Sequence, residues 1–314
     1  MSKQPKTNKY PIHEDYQNLG VQVQLSPRLL PVIDTLLRLM FDCEKISNTI
    51  KITKYKIPAS DNGTIDIAVF EPKNVPGELP CLMYIHGGAF VMEAAGYHKQ
   101  LMGRYAEAAR CKIVFVHYRL APRYVFPVEL NDCYTALLWT AKNAEMLGID
   151  SGRIGVAGDS AGGALAAGIT QMARDKQGPH LVFQMLVYPV TDARMITESM
   201  RTYTDTPVWN SLSNKEMWER YLGADHNTDR TYASPIEGEL TGDLPPAYIE
   251  VSEFDCLRDE GIAYAEKLTA AGVQVALNQT KGTIHGFELN LKSAYSRAIV
   301  ADRIVALNGA FHHE

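Results

Sequence analysis

The run Gly158-Asp159-Ser160-Ala161-Gly162 sets one serine between two glycines in the spacing G-x-S-x-G. An apolar run at 154–157 precedes it, and small residues at helical spacing (Ala164, Ala166, Ala167, Gly168) follow it. Strand, tight turn and helix in that order are what a nucleophile elbow demands. On such a turn the neighbours of the serine must lack bulk, and its hydroxyl stands beside a helix N-terminus that favours developing negative charge. A serine placed this way attacks a carbonyl carbon if a base takes its proton and if donors hold the resulting oxyanion. The five-residue pattern alone is weak, because a glycine-rich turn without chemistry reads the same way.

Upstream, Met83-Tyr84-Ile85-His86-Gly87-Gly88-Ala89-Phe90 ends another apolar run in a glycine-rich loop. Glycines let backbone amides approach a substrate, so this loop supplies the other half of an oxyanion hole. The expected donors are the amides of Gly88, Ala89 and Ala161, with Gly87 shaping the loop. His86 is a rival for the base, but a loop histidine beside glycines more often ties the loop down through hydrogen bonds.

With this type of elbow the acid and base follow the serine in the order acid, then histidine. Downstream histidines are His180, His226, His285, His312 and His313. His285 lies between the last predicted strand and the last predicted helix, and is the expected base. His180 precedes a strand at the opposite edge, His226 lies in an interruption of the pattern, and His312 and His313 read as an unstructured end. Asp255 directly follows a predicted strand and is the expected acid, with Glu253 a weaker rival. Asp259 and Glu260 fall one turn into the next helix, where acidic residues suit the positive helix end and face solvent. Ser160, His285 and Asp255 would then carry acyl transfer through a covalent intermediate without a metal or organic cofactor.

Those residues need a scaffold. Short apolar runs at 81–85, 112–117, 154–157, 182–188, 247–251 and 273–278 alternate with helical patterns at 97–110, 127–146, 161–175, 258–271 and 292–308. The alternation predicts an α/β chain with a mostly parallel sheet and helices on both faces. Before it, 50–58 and 65–71 read as antiparallel strands around Asp61-Asn62-Gly63. A helix at 27–42 opens the chain, with Ser26 as cap and Pro27 in its first position. Residues 193–236 break the rhythm without a strand-like run. They read as a helical insertion that joins residues 1–50 in a cap, leaving 51–192 and 237–314 as the core. Phe90, Trp209 and Met217 are candidates for the substrate pocket.

With 314 residues and a net charge of −5, the chain can bury a large core and carries no attraction for nucleic acid or an anionic membrane. Its five cysteines are widely spaced with no CxxC pair, which argues against a zinc knuckle and for a reducing, cytoplasmic setting. The polar N-terminus reads as no signal peptide, and no apolar stretch reaches membrane-spanning length.

At these residues the chain resembles the hormone-sensitive-lipase-like branch of the α/β hydrolases, bacterial lipolytic family IV. The resemblance rests on His86-Gly87-Gly88-Ala89-Phe90, Tyr118-Arg119-Leu120-Ala121-Pro122, Gly158-Asp159-Ser160-Ala161-Gly162-Gly163, Asp255-Cys256-Leu257-Arg258-Asp259-Glu260-Gly261 and His285-Gly286-Phe287. It implies an eight-stranded sheet under a helical cap, carboxylesterase activity on small short-chain acyl esters, and a supporting role for Asp159. Dimers are common in the branch, which leaves a homodimer as a candidate assembly. Three departures stand out: Ala89 for a third glycine, Arg123 for the glutamate after Ala-Pro, and Cys256 for the proline after the acid. A long-chain lipase, a non-catalytic small-molecule receptor and a peptidase are the competing readings. The first needs an exposed apolar lid, the second lacks the base that His285 supplies, and the third needs a peptide-selecting domain that the sequence lacks.

Overall fold

The computed structural model describes residues 9–19, 29–223 and 230–312. Its strands are β1 (Ile50–Pro58), β2 (Thr64–Pro72), β3 (Leu79–Ile85), β4 (Lys112–His117), β5 (Ile149–Asp159), β6 (Phe183–Val187), β7 (Ala247–Phe254) and β8 (Val275–Ile284). The helices are α1 (Leu30–Cys43), α2 (Gly96–Ala108), α3 (Val128–Lys142), α4 (Ala144–Leu147), α5 (Ala161–Asp175), α6 (Glu198–Thr202), α7 (Ser211–Leu222), α8 (Arg258–Ala270) and α9 (Ala294–His312).

All eight strands form one sheet in the order β1-β2-β4-β3-β5-β6-β7-β8. The pairs β1–β2 and β2–β4 are antiparallel and the others parallel. β3 and β4 are buried along their whole length, as expected for central parallel strands covered on both faces. β1, at the sheet's edge, leaves Lys51, Lys54 and Lys56 exposed, charge that discourages pairing at an open edge.

The order of the strands locates the place where a ligand can bind. From β3 the chain moves to β4 on one side; from β5 it moves to β6, β7 and β8 on the other. Right-handed crossovers then put α2 on one face and α3, α5 and α8 on the opposite face. The loops leaving β3 and β5 diverge, which opens a crevice at their carboxyl ends. The β3–β5 register pairs Ile85 with Gly158, so the two glycine-rich loops start side by side there.

Several boundaries differ from the sequence expectation. The described part of α1 starts at Leu30 with a proline in its first turn, Pro31; the expected start at Ser26-Pro27 lies outside the described residues. β5 begins at Ile149 rather than 154, because Ile149 pairs with Leu79 ahead of a register shift that resumes at Cys81 and Ile154. The expected 127–146 helix divides at Asn143, whose side chain caps the Trp139 carbonyl at 2.8 Å. α9 extends to His312, whose Nε2 bonds the Ala109 carbonyl at 2.8 Å, so this residue is ordered rather than a loose end. Between 193 and 236 the described residues contain helices and no strand. No helix among the described residues is long and apolar enough to cross a membrane.

Two buried charge systems were not legible in the sequence. Arg303 on α9 is fully buried and bonds Glu250 of β7 (Nε 3.1 Å) and Glu288. Glu288 in turn accepts the Tyr188 hydroxyl at 2.6 Å. The second is a single acid: Glu129 of α3 is fully buried, and among the described residues neither carboxylate oxygen has a hydrogen-bond partner. Burial, with Asp132 nearby, pushes its pKa up to about 9. An acid whose folded pKa is raised favours folding while both states are protonated, and that advantage is lost as pH climbs towards the folded value. Glu129→Gln should therefore gain stability over the parent progressively between pH 4.5 and about 9, with little difference below that window; urea unfolding at several pH values measures it.

Candidate active site

Ser160 sits at the end of β5, where the chain turns into α5. Its backbone adopts φ 55° and ψ −121°, a conformation a side-chain-bearing residue tolerates only under constraint. The constraint is crowding. A Cβ on Gly158 would lie 2.2 Å from the Gly162 carbonyl oxygen, and one on Gly162 would lie 2.1 Å from that of Ile85. Only glycine fits at either position. The turn is pinned to the next strand by Ser160 N–H donating to the Val187 carbonyl at 2.9 Å.

His285 follows the last residue of β8, and Asp255 the last residue of β7. Asp255 is fully buried, and His285 and Ser160 nearly so. His285 Nδ1 lies 2.7 Å from Asp255 Oδ2, and its Nε2 lies 2.9 Å from Ser160 Oγ. A carboxylate facing Nδ1 requires the proton there, which leaves the Nε2 lone pair to accept from the serine hydroxyl. Asp255 Oδ1 accepts the Leu257 amide at 3.0 Å, so both carboxylate oxygens are fixed. The Tyr188 ring packs 4.5 Å and the Trp209 ring 6.0 Å from the His285 ring, centre to centre. Tyr188 thus links the histidine to the buried Glu288–Arg303 pair.

The expected rivals are occupied elsewhere. Glu253 accepts the Gly282 amide at 2.7 Å. Glu260 is not a solvent-facing helix charge: it is fully buried and accepts the Thr191 amide at 2.7 Å, because α8 points its first turn inward. Asp259 accepts the Ser199 amide at 2.7 Å and braces the 193–236 segment. His86 is engaged elsewhere; its Nδ1 lies 2.6 Å from the Gly87 carbonyl oxygen and its ring stacks on Tyr118. Burial pushes its pKa down to about 4. His226 lies outside the described residues.

Gly88 and Ala89 border the same cavity as Ser160 and His285. The Ala161 amide, in the first turn of α5, has no intrahelical acceptor. The Gly87 amide is committed: it donates to Asp159 Oδ1 at 3.0 Å. Asp159 Oδ1 also accepts the Tyr84 hydroxyl at 2.9 Å, and Oδ2 lies 3.2 Å from His98 Nε2 and 3.5 Å from the Tyr97 hydroxyl. His98 Nδ1 accepts the Ala95 amide, so Nε2 carries the hydrogen and donates. Burial on its own would raise the Asp159 carboxyl; His98 and these hydrogen bonds outweigh it and hold the pKa at about 2. Tyr84, Tyr97 and His98 were missed from sequence, where nothing but their fold neighbours singles them out.

The three departures can be placed. Ala89 takes φ 58°, a left-handed conformation that its methyl makes costlier than glycine would. Arg123 packs its guanidinium over Tyr124, and the loop is instead held by Arg119, bidentate on Asp132 at 2.7 and 2.8 Å. Cys256 is buried, and its carbonyl accepts the Ser199 hydroxyl at 2.8 Å.

The cavity above Ser160 holds about 220 Å³. Leu37, Met92, Val208, Trp209 and Leu289 make its wall largely apolar. Of the expected pocket residues only Trp209 lines it. Phe90 is buried behind the loop, stacked on Tyr221 at 3.6 Å, and Met217 is likewise a core residue.

A family model described as alpha/beta hydrolase fold matches residues 82–289. Carboxylesterase NlhH of Mycobacterium tuberculosis is 39% identical over 231 residues, 71% of each chain. Ethyl acetate hydrolase of Pseudomonas putida is 31% identical over 239 residues, 75% of each chain. Among solved structures, bacterial heroin esterase superposes with a TM-score of 0.88 at 34% identity, covering 96% of this chain and 98% of its own.

Four donors converge on Asp159, and an asparagine offers them only one acceptor oxygen. Asp159→Asn should leave the fold intact but displace Gly87 and the amides after it. We expect kcat/KM for a small ester to fall roughly 100-fold with about 1–3 kcal/mol lost in stability, read by steady-state kinetics and urea unfolding.

Proposed function

The chain belongs to the α/β-hydrolase family, in its hormone-sensitive-lipase-like branch, and from that premise we propose that it hydrolyses small short-chain acyl esters through a covalent acyl-enzyme. It is a carboxylic ester hydrolase, like its relatives. The observation that carries the mechanism is the unbroken run from Asp255 through His285 to the Ser160 hydroxyl, opening on a small apolar cavity.

In this reading Ser160 Oγ attacks the ester carbonyl carbon while His285 Nε2 takes its proton. Asp255 keeps the other ring nitrogen protonated and stabilises the imidazolium as it forms. The carbonyl oxygen becomes negative and is met by the amides of Gly88, Ala89 and Ala161, each worth roughly 3 kcal/mol in the transition state. His285 then passes its proton to the leaving alcohol. Water enters, gives a proton to the same nitrogen and attacks the acyl carbon; the bond to Ser160 Oγ then breaks as His285 returns the proton to it, and the acid leaves.

The size of the cavity favours the small-ester reading. About 220 Å³ is below the roughly 300–1,000 Å³ usual for drug-sized ligands. Its roof comes from the segments we assign to a cap, 1–50 and 193–236: Leu37 belongs to the first, Val208 and Trp209 to the second. The core is then 51–192 and 237–314.

Ser160→Ala should keep the fold and lose turnover by roughly 10⁴-fold or more; a folded variant with the parent rate would remove the assignment. Across 4-nitrophenyl esters, kcat/KM should peak at roughly two to four acyl carbons and drop steeply by about ten. A rate that rises with chain length would instead point to a lipase.

A further inference from the structure

Beside the glycine-rich loop three ligand-type side chains meet: His86, Glu93 and His117, of which Glu93 also borders the cavity above Ser160. Their ligating atoms all lie within 4.8 Å of one another. Glu93 Oε1 is 3.5 Å from His86 Nε2 and 2.8 Å from His117 Nδ1. Ligands in a tetrahedral zinc site with bonds of about 2.0–2.2 Å stand roughly 3.3 Å apart. The two contacts of Glu93 Oε1 bracket that spacing, and the third pair lies within 4.8 Å.

The second observation is an unmet hydrogen-bonding atom. His86 is fully buried, and its Nε2 has no hydrogen-bond partner among the described residues. Its two nitrogens face two oxygens, Nδ1 that of Gly87 at 2.6 Å and Nε2 that of Glu93. A neutral imidazole has one proton, so in either tautomer one ring lone pair faces an oxygen lone pair. A cation seated between Nε2 and Oε1 resolves the conflict without placing a second proton on a buried ring.

We propose that His86 Nε2, Glu93 Oε1 and His117 Nδ1 bind a divalent transition-metal ion of the zinc class. Two imidazoles and one carboxylate suit that ion, with the fourth position left to a small exogenous ligand. Arg38 takes the other Glu93 oxygen at 3.2 Å and the Ala94 amide donates to Oε1 at 2.9 Å, which together hold Oε1 beside the two rings. Asp34 and Asp66 flank the group: Asp34 accepts the Glu93 amide at 3.1 Å, and Asp66 accepts from Arg38 at 3.3 Å. Glu93 and Asp34 also line a surface cavity of about 530 Å³, which offers an entry path. The ion is positioned to brace the oxyanion loop and takes no part in the ester chemistry. The inference is independent of the proposed reaction.

The test uses chelator-stripped full-length protein titrated with zinc chloride alone, followed by calorimetry and thermal unfolding. We expect one equivalent to bind, with Tm raised by roughly 5 °C at a hundredfold excess over Kd. Glu93→Gln and His117→Gln should each weaken binding by roughly 100-fold or more. His285→Ala and His312→Ala, which remove the rival sites at the serine and the C-terminus, should bind as the parent does. No saturable binding, binding that survives both Glu93→Gln and His117→Gln, or binding lost in His285→Ala or His312→Ala overturns the proposal. If the two cluster variants fail to fold, a zinc-edge anomalous map of soaked parent crystals decides. A peak about 2.0–2.2 Å from all three atoms supports the site, and its absence there refutes it.

Discussion

The crevice at the carboxyl ends of β3 and β5 is so crowded that two backbones touch with no side chain between them. Gly162 at the start of α5 presses on the Ile85 carbonyl at the end of β3, and Gly158 presses on Gly162. Gly87 of the neighbouring loop closes on Asp159 in the same way, where a Cβ would stand 2.4 Å from a carboxylate oxygen. This contact forces Ser160 into its left-handed conformation and lifts its hydroxyl above the sheet edge. It also brings the amides of the 86–90 loop within reach of the same point. Both halves of the proposed chemistry depend on one packing constraint, and close-packed interiors offer little room to relax it.

Charge then locks what packing has brought together. Asp159 is one residue before the serine in sequence, yet it holds the other loop through Gly87 and the wall of the cavity through Tyr97 and His98. Four donors on one carboxylate keep it ionised despite burial, and an ionised, fully bonded group resists displacement more than a neutral one. A comparable arrangement stands behind His285, where Tyr188 connects the ring to Glu288 and Arg303. The groups assigned to the proposed chemistry are thus backed on two sides by buried ionic networks, in keeping with the placement to within fractions of an ångström that such a site needs.

The cavity itself is built from distant parts of the chain. Leu37 of α1, Met92 after the glycine-rich loop, Trp209 before α7 and Leu289 after β8 meet around a space far smaller than the core beneath it. Such a roof can change the ester accepted without touching the scaffold, which is one reason that fold and reaction type are easier to read than substrate identity.

Much of the architecture was legible because periodicity and turn chemistry are local. Alternating apolar runs and helical patterns marked all eight strands, and the G-x-S-x-G run, the His-Gly-Gly loop and the order of Asp255 and His285 marked the candidate site. Local signals failed where a residue's neighbours are remote in sequence. Glu260 reads as a solvent-facing charge in a first helical turn, but α8 buries it against Thr191. Phe90 and Met217 read as pocket residues, but tertiary packing turns both into the core. His98, Arg303 and the meeting of His86, Glu93 and His117 carry no sequence signature, because their partners lie on other strands and helices. Sequence alone determined which residues could react and in what scaffold, since those depend on spacing along the chain. Which buried charges pair, and how small the cavity is, depended on distances through space that only the folded chain defines.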